Sequence, residues 1–161
     1  MPKKLILSVP LLALAACQSG GPAGPPPGTA AQRIVVTLAA TPYNAGETGQ
    51  ATLIPAGAKT QVVLNFSGVP PWTTLPVHVY TYIVEGRCGA VPARAAYDLN
   101  ERVLPDIAAG GPVTSTKRPF VLAHLVAAPI ERITSGEFAL VLRSAPADGD
   151  RVLFCGELRA G

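Results

Sequence analysis

Apolar and polar residues alternate along most of the chain beyond residue 32, and this period of two is typical of β-strands with one buried face. The clearest example runs from Thr60 to Phe66, where Val62, Leu64 and Phe66 share one side. The pattern predicts strands in several further segments, namely Arg33–Ala39, Gln50–Pro55, Val77–Glu85, Pro119–Val126, Glu137–Arg143 and Arg151–Arg159.

The segments between these strands contain turn residues and little helical pattern. Ala56–Lys59 is a short turn that predicts a hairpin. Ala93–Asn100 is either a strand or an extended loop, Val103–Thr116 is a loop, and one helical turn is expected around Glu131 and Arg132. Many short strands with little helix predict an all-β, antiparallel fold, either a sandwich or a barrel.

Composition supports this fold class and excludes one class of partner. The 161 residues include 17 prolines, which argue against long helices. Two of the 13 basic residues, Lys3 and Lys4, lie in the N-terminal segment, so the rest carries 11 basic against 10 acidic residues. A nearly neutral chain in which the longest later basic run is Lys117–Arg118 does not predict nucleic-acid binding.

The first residues have the pattern of a secretory signal. Lys3 and Lys4 precede the short apolar stretch Leu5–Leu14, which is too short to span a membrane as a helix. The LAAC stretch that ends at Cys17 resembles the lipobox of bacterial lipoproteins. This resemblance implies a signal peptide over residues 1–16 and lipidation of Cys17, hence membrane attachment through the lipid. The alternative is an ordinary signal peptide with a chance cysteine.

A tether and one folded domain follow the signal. Residues 17–31 are rich in Gly, Pro and Ala and contain nothing to bury, as in a linker. Residues 32–161 are long enough for one domain with its own core. Gln18 follows the cysteine, whereas aspartate at that position in lipoproteins favours the inner membrane. The resemblance therefore implies a bacterial envelope protein on the outer membrane, facing the periplasm.

Three cysteines are present, at Cys17, Cys88 and Cys155. If Cys17 carries lipid, two remain in an oxidising compartment, where an even pair is most simply a disulfide. The alternative is two reduced, buried thiols. A reactive thiol beside Arg87 is a further possibility that the second cysteine argues against.

Four short motifs together resemble a known family. In chain order they are the start of a histidine strand, a cysteine loop, a Y-x-L-N element and a terminal CGEL, at Pro76–His78, Gly86–Gly89, Tyr97–Asn100 and Cys155–Leu158. This arrangement resembles small bacterial lipoproteins with a domain similar to copper/zinc superoxide dismutase and to CHRD domains. It covers about Arg33–Leu158 and implies a Greek-key antiparallel β-sandwich with a Cys88–Cys155 disulfide.

The resemblance also implies where a dismutase would bind copper, and the chain departs from that pattern. The first ligand position matches His78, the second matches Tyr80, and a further histidine position matches Arg143. Arginine stays protonated and has no lone pair for a metal. No histidine lies between Cys88 and Pro119, where the dismutases have their zinc loop. We therefore expect no copper or zinc cofactor and no catalytic residues.

Several other side chains have two interpretations each. His78 is either a structural histidine or a weak metal ligand, and His124 matches no ligand position of the family. Trp72, Tyr80 and Tyr82 either pack against the domain or form a surface that meets a partner. Arg143 is expected either to neutralise an acid such as Asp148 or Asp150 or to fill the space that the metal occupies in the dismutases.

These observations favour a non-enzymatic interpretation. We expect a lipid-anchored envelope protein whose degenerate dismutase-like domain has a structural role or contacts another envelope protein. The alternative is a periplasmic copper-binding or copper-delivery protein that uses His78 with nearby carboxylates. An active superoxide dismutase ranks last.

Overall fold

The computed structural model of the chain describes residues 33–90, 94–100 and 115–159. The predicted signal peptide, Cys17 and the tether lie outside the described residues, as does most of the predicted loop Val103–Thr116. In the described part of the chain, no helix is both long and apolar enough to cross a membrane.

Eight strands and one short α-helix make up the described domain. The strands are β1 (Ile34–Ala40), β2 (Gly49–Ala56), β3 (Lys59–Phe66), β4 (Val79–Glu85), β5 (Tyr97–Asp98), β6 (Phe120–Val126), β7 (Phe138–Ser144) and β8 (Val152–Leu158). Helix α1 is Ile130–Thr134, at the helical turn that the sequence predicted. Short 3₁₀ turns at Pro42–Asn44 and Pro146–Asp148 were not predicted.

The strands form one sheet in the order β5-β4-β7-β8-β1-β2-β3-β6, and every pairing is antiparallel. The predicted all-β, antiparallel fold is thus confirmed. The predicted β2–β3 hairpin is also confirmed, with Ala56 opposite Lys59 and a positive φ of 66° at Gly57 in the turn. Strand β1 joins the two halves of the sheet, because Ile34–Leu38 pair with β2 and Ala39 and Ala40 pair with β8.

One apolar core lies on the inner side of the curved sheet. Alternation along β3 buries Val62, Leu64 and Phe66, as the period-two pattern predicted. Gly156 lies where β8 passes close to β1, since a Cβ there would come within 2.8 Å of the Thr37 carbonyl oxygen. That close approach requires glycine in the terminal CGEL motif.

A disulfide joins Cys88, in the loop after β4, to Cys155 on β8, with 5.8 Å between their Cα atoms. The predicted pairing is confirmed, and the alternatives of reduced or reactive thiols are wrong. A small second apolar cluster surrounds this bond on the outer side of the sheet and contains Val84, Ala139, Val141 and Cys155, with Tyr82, Cys88, Ala95 and Val152 at its margin.

Where β5 ends after two residues, the side chain of Asn100 adds hydrogen bonds to the neighbouring strand β4. The side-chain oxygen Oδ1 of Asn100 accepts a hydrogen bond from the backbone N–H of Thr81 at 2.7 Å. Its Nδ2 donates a hydrogen bond to the Thr81 carbonyl oxygen at 3.1 Å. This reproduces both bonds of a strand pair. The Y-x-L-N element therefore continues along β4 through the backbone N–H of Leu99, which donates to the Thr81 carbonyl at 3.1 Å, and through the amide side chain of Asn100.

A hydrogen bond from a histidine on β6 reaches the residue that follows β5, and these are the two outermost strands of the sheet. His124 on β6 is only 6 % exposed, and its Nδ1 lies 2.8 Å from the carbonyl oxygen of Leu99, immediately after β5. Nδ1 therefore carries the proton and donates it. Its Nε2 is buried and has no hydrogen-bond partner among the described residues. Burial lowers the pKa of His124, and the Leu99 hydrogen bond opposes this shift.

This buried imidazole predicts an acid-sensitive domain. Because the folded state holds the pKa of His124 below its ordinary value of 6.5, the unfolded chain binds the extra proton more readily. His124 therefore stabilises the fold above pH 6.5, and this contribution is lost as the pH falls from there through the folded-state pKa. The slope for one proton is at most about 1.4 kcal/mol per pH unit.

Urea unfolding between pH 7 and pH 5 measures that dependence. We expect the wild type and a His78→Asn control to lose stability together on acidification, and His124→Asn to show a shallower slope. Equal slopes in all three proteins would contradict the role assigned to His124.

Candidate functional site

The candidate site is the region where the resembled dismutases would hold copper. His78 lies one residue before β4, and its side chain is exposed. Tyr80 and Tyr82 follow at alternate positions and are half-buried on the outward side of β4. Strand β4, which carries Tyr80 and Tyr82, lies between β5 and β7 in the sheet.

Arg143 lies directly opposite Tyr80 in the antiparallel register of β4 and β7. Its Nε is 2.8 Å from the carboxylate oxygen Oδ1 of Asp150, and its Nη2 donates to the backbone carbonyl of Asp150 at 2.8 Å. The guanidinium thus contacts both the side chain and the backbone of one residue. Of the two acids predicted as its partner, Asp150 is the one that it binds.

Local irregularities in the chain bring Asp150 to Arg143. The register between β7 and β8 shifts between Leu142 and Arg143, and such a bulge re-aims the side chains beside it. The following turn contains Gly149 with φ of 85° and Asp150 with φ of 50°. A left-handed conformation at a non-glycine residue is uncommon, and aspartate tolerates it better than most residues.

Asp148 has a different role from the one considered for it. Its Oδ1 accepts hydrogen bonds from the backbone N–H of Thr74, at 3.0 Å, and from the Thr74 hydroxyl. These bonds join the long connection between β3 and β4 to the turn between β7 and β8. Asp148 therefore positions the segment that leads into His78 instead of neutralising Arg143.

Tyr82 packs at the margin of the apolar cluster around the disulfide. Its pKa is raised, first by burial and then by the nearby carboxylates of Asp98 and Asp150, while the charge of Arg143 acts in the opposite direction. The phenol of Tyr82 therefore loses its proton less readily than an ordinary tyrosine does. Its location agrees with the packing interpretation of this tyrosine.

Trp72 lies in the connection between β3 and β4, and its side chain is 45 % exposed. The chain near it also exposes Leu75, which is 51 % exposed. These side chains belong to a loop, whereas Tyr80 and Tyr82 belong to a strand. The three aromatic residues singled out in the sequence thus come from two different structural elements.

The residues at this site do not fit the copper centre that the resemblance implies. In residues 33–90, 94–100 and 115–159, no three His, Cys, Asp or Glu side chains are grouped so that they could hold a metal ion. His78 is at the start of β4, whereas His124 is in the core on β6 with its Nδ1 bonded to Leu99. The remaining position is taken by Arg143, which is bound to Asp150.

His124 is a buried polar side chain whose structural role the sequence did not predict. A signal was present, because Phe120, Leu122, His124 and Val126 alternate and belong to the inward face of β6. An imidazole among inward apolar residues requires a buried hydrogen-bond partner. The identity of that partner, the carbonyl of Leu99, depends on the sheet topology and could not be read from the local pattern.

Comparison with known proteins identifies no relative of this chain. No family model, no curated protein and no solved structure matches the chain.

Proposed function

We propose that this protein is a lipid-anchored component of the bacterial envelope whose domain is a non-catalytic relative of the copper/zinc superoxide dismutases. Its role is then structural or one of contact with other envelope components. The observation that carries the proposal is the ion pair of Arg143 and Asp150 at a position where the resembled enzymes need a histidine.

The finer description of the fold belongs to the same proposal. A dismutase-like Greek-key sandwich is supported by the eight antiparallel strands, by β6 lying beside β3, and by the disulfide from the loop after β4 to the last strand. These features agree with the order of the motifs that suggested the family. Fold alone does not carry activity, so the assignment of function depends on the site.

The chemistry of the site supports the absence of dismutation. Copper redox catalysis needs several nitrogen ligands in an open geometry. At the matching positions this chain has one exposed imidazole, His78, one phenol, Tyr80, and one guanidinium, Arg143. A guanidinium places a positive charge where a cation would bind, and it offers no lone pair.

Dismutase activity of the full mature protein tests the proposal. Protein loaded with copper and zinc and then freed of excess metal should remove superoxide no faster than its residual free copper explains. His78→Ala should behave identically. Stoichiometric metal together with metal-dependent activity that His78→Ala abolishes would overturn the proposal.

The membrane anchor is tested separately. We expect Cys17→Ala to move the protein from the membrane fraction to the soluble periplasmic fraction, and mass spectrometry of the wild type to show acyl chains on Cys17. Several acyl chains anchor stably because each buried CH₂ contributes roughly 0.8 kcal/mol. A Cys17→Ala protein that remains in the membrane without lipid would contradict this part of the proposal.

A second candidate function is metal binding or delivery. One observation favours it, since the imidazole of His78 is exposed at the start of β4 and is accessible to a metal ion. Among the described residues no group of three His, Cys, Asp or Glu side chains could hold a metal ion, which argues for the first candidate.

A further inference from the structure

One end of the sheet carries exposed basic side chains, and we call it the entry end because β1 begins there. The described domain starts at Arg33, one residue before β1, and Ile34 pairs with Leu53 near the end of β2. The β2–β3 hairpin therefore turns at this same end of the sheet. Arg33 and Lys59, the first residue of β3, are both exposed there.

Helix α1 brings a third cation to the entry end. Strand β6 ends at Val126, opposite Thr60, and the Thr60 hydroxyl donates to the carbonyl of Ala128 at 2.8 Å. The connection that leads into α1 thus lies beside Lys59, the residue before Thr60. Arg132 on α1 is exposed.

The three cations Arg33, Lys59 and Arg132 have no ion-pair partner among the described residues. The acids at the entry end are fewer than the cations, and two of them already pair with other arginines, in Arg87–Glu137 and Arg159–Glu157. The described charged residues at this end are six cations, Arg33, Lys59, Arg87, Arg94, Arg132 and Arg159, and four acids, Glu85, Glu131, Glu137 and Glu157. The entry end therefore presents an excess of positive charge to its surroundings.

The opposite end of the sheet, where β1 ends and β6 and β8 begin, holds its cations differently, and we call it the far end. Arg143 is bound to Asp150 there, and the guanidinium carbon of Arg151 lies 4.6 Å from the ring centroid of Tyr43. Lys117 is also exposed at this end. More cations without a partner group thus lie at the entry end than at the far end.

We propose that the entry end lies against the membrane that holds the lipid anchor, with its three free cations at the phosphates of anionic phospholipid headgroups. Guanidinium and ammonium groups are the side chains that bind phosphate. The chain that leads from Cys17 enters the domain at Arg33, so the anchor is attached at the end that carries the complementary charge. The inference rests on the proposed anchor and adds to it the surface that meets the lipid.

Three cations give an attraction that becomes effective because the domain is anchored. A basic side chain close to an anionic membrane surface strengthens binding roughly fivefold, so three strengthen it on the order of a hundredfold. This attraction fades over a Debye length of about 8 Å at physiological ionic strength. An anchor keeps the domain at a high effective concentration beside the membrane, where such an attraction orients it.

This orientation holds the far end away from the lipid. Strand β1 has seven residues, so the two ends of the sheet are separated by about 23 Å. Trp72 lies in the connection between β3 and β4, at the far end, and it is the one tryptophan of the chain. Its fluorescence therefore reports the height of the far end above the membrane.

Energy transfer from Trp72 to a dansyl-labelled lipid measures that height. The mature protein is attached to vesicles through Cys17, by its own acyl chains or, where these are absent, by a maleimide lipid on the same cysteine. Transfer should be lower in vesicles that contain phosphatidylglycerol than in vesicles of phosphatidylcholine alone. Salt at about 0.5 M should remove the difference, because it shortens the Debye length. Transfer that does not depend on lipid charge, or that rises with phosphatidylglycerol, would overturn the proposal.

The anchor and the surface fail separately in this experiment. Mass spectrometry that finds no acyl chain on Cys17 would refute the proposed anchor, and the maleimide lipid would still test the entry end. Acylated protein whose energy transfer ignores lipid charge would refute the surface and leave the anchor standing.

Two variants that remove the same charges from opposite ends supply the matched control. Lys59→Gln/Arg132→Gln removes one lysine and one arginine from the entry end, and Lys117→Gln/Arg151→Gln removes one of each from the far end. All four side chains are exposed, so both variants should fold as the wild type does. The first variant should lose the dependence of energy transfer on lipid charge, and the second should keep it. Equal behaviour of the two variants would mean that net charge and not the entry end governs the effect, and would overturn the proposal.

Discussion

Replacing Cys88 and Cys155 together with alanine should lower the free energy of unfolding by about 3–4 kcal/mol. The two cysteines are 67 positions apart, so the bond closes a long loop in the unfolded chain. It joins the loop after β4 to the last strand, and Cys155 is buried within the outer apolar cluster. The disulfide therefore stabilises the fold in two ways. It restricts the conformations of the unfolded chain, and it holds β8 in the folded sheet.

Urea unfolding measures this loss. The double variant and the wild type reduced under native conditions should both show a midpoint well below that of the oxidised wild type. Reduction of the double variant should have no further effect, which makes it the control for the reductant itself. A double variant within about 1 kcal/mol of the wild type would contradict the role given to the disulfide.

Phe154→Ala should destabilise the domain by about 3–5 kcal/mol, the range for removing a large aromatic side chain from a core. Phe154 is fully buried on β8, and its ring centroid lies 5.6 Å from that of Phe66 on β3. Phe66 in turn stacks on Phe120 of β6 at 4.9 Å. Truncation would leave a cavity between the two halves of the sheet.

Thermal and urea unfolding of Phe154→Ala measure the effect, with Val121→Ala as the control. Val121 is an apolar strand residue that is 51 % exposed, so its truncation should cost less than about 1 kcal/mol. Comparable losses in the two variants would mean that the core does not depend on the aromatic group of Phe66, Phe120 and Phe154.

The strands could be predicted because their burial depends on local alternation. The inward set Val62, Leu64 and Phe66 on β3 was read directly from its spacing. Strand β5 was ambiguous because only Tyr97–Asp98 pair with β4 as a strand. The next hydrogen bonds to Thr81 come from the backbone N–H of Leu99 and from the side chain of Asn100. A side-chain amide that bonds to a neighbouring strand is a tertiary feature and leaves no periodic pattern.

The site was partly predictable for a related reason. The sequence shows that Arg143 cannot ligate a metal, since this follows from the side chain alone. The sequence does not show whether Asp148 or Asp150 pairs with Arg143. That choice depends on the bulge at Leu142 and Arg143 and on the φ of 50° at Asp150. The bond between His124 and Leu99 likewise depends on strands that are distant in sequence.

The metal content of the protein tests the central claim most directly. Wild type and His78→Ala are purified from cells grown with copper and zinc, and both metals are measured per chain. We predict amounts far below one metal ion per chain in both proteins, because Tyr80 and the Arg143–Asp150 pair take the place of a ligand set. One copper or zinc ion per wild-type chain that is lost in His78→Ala would contradict the account.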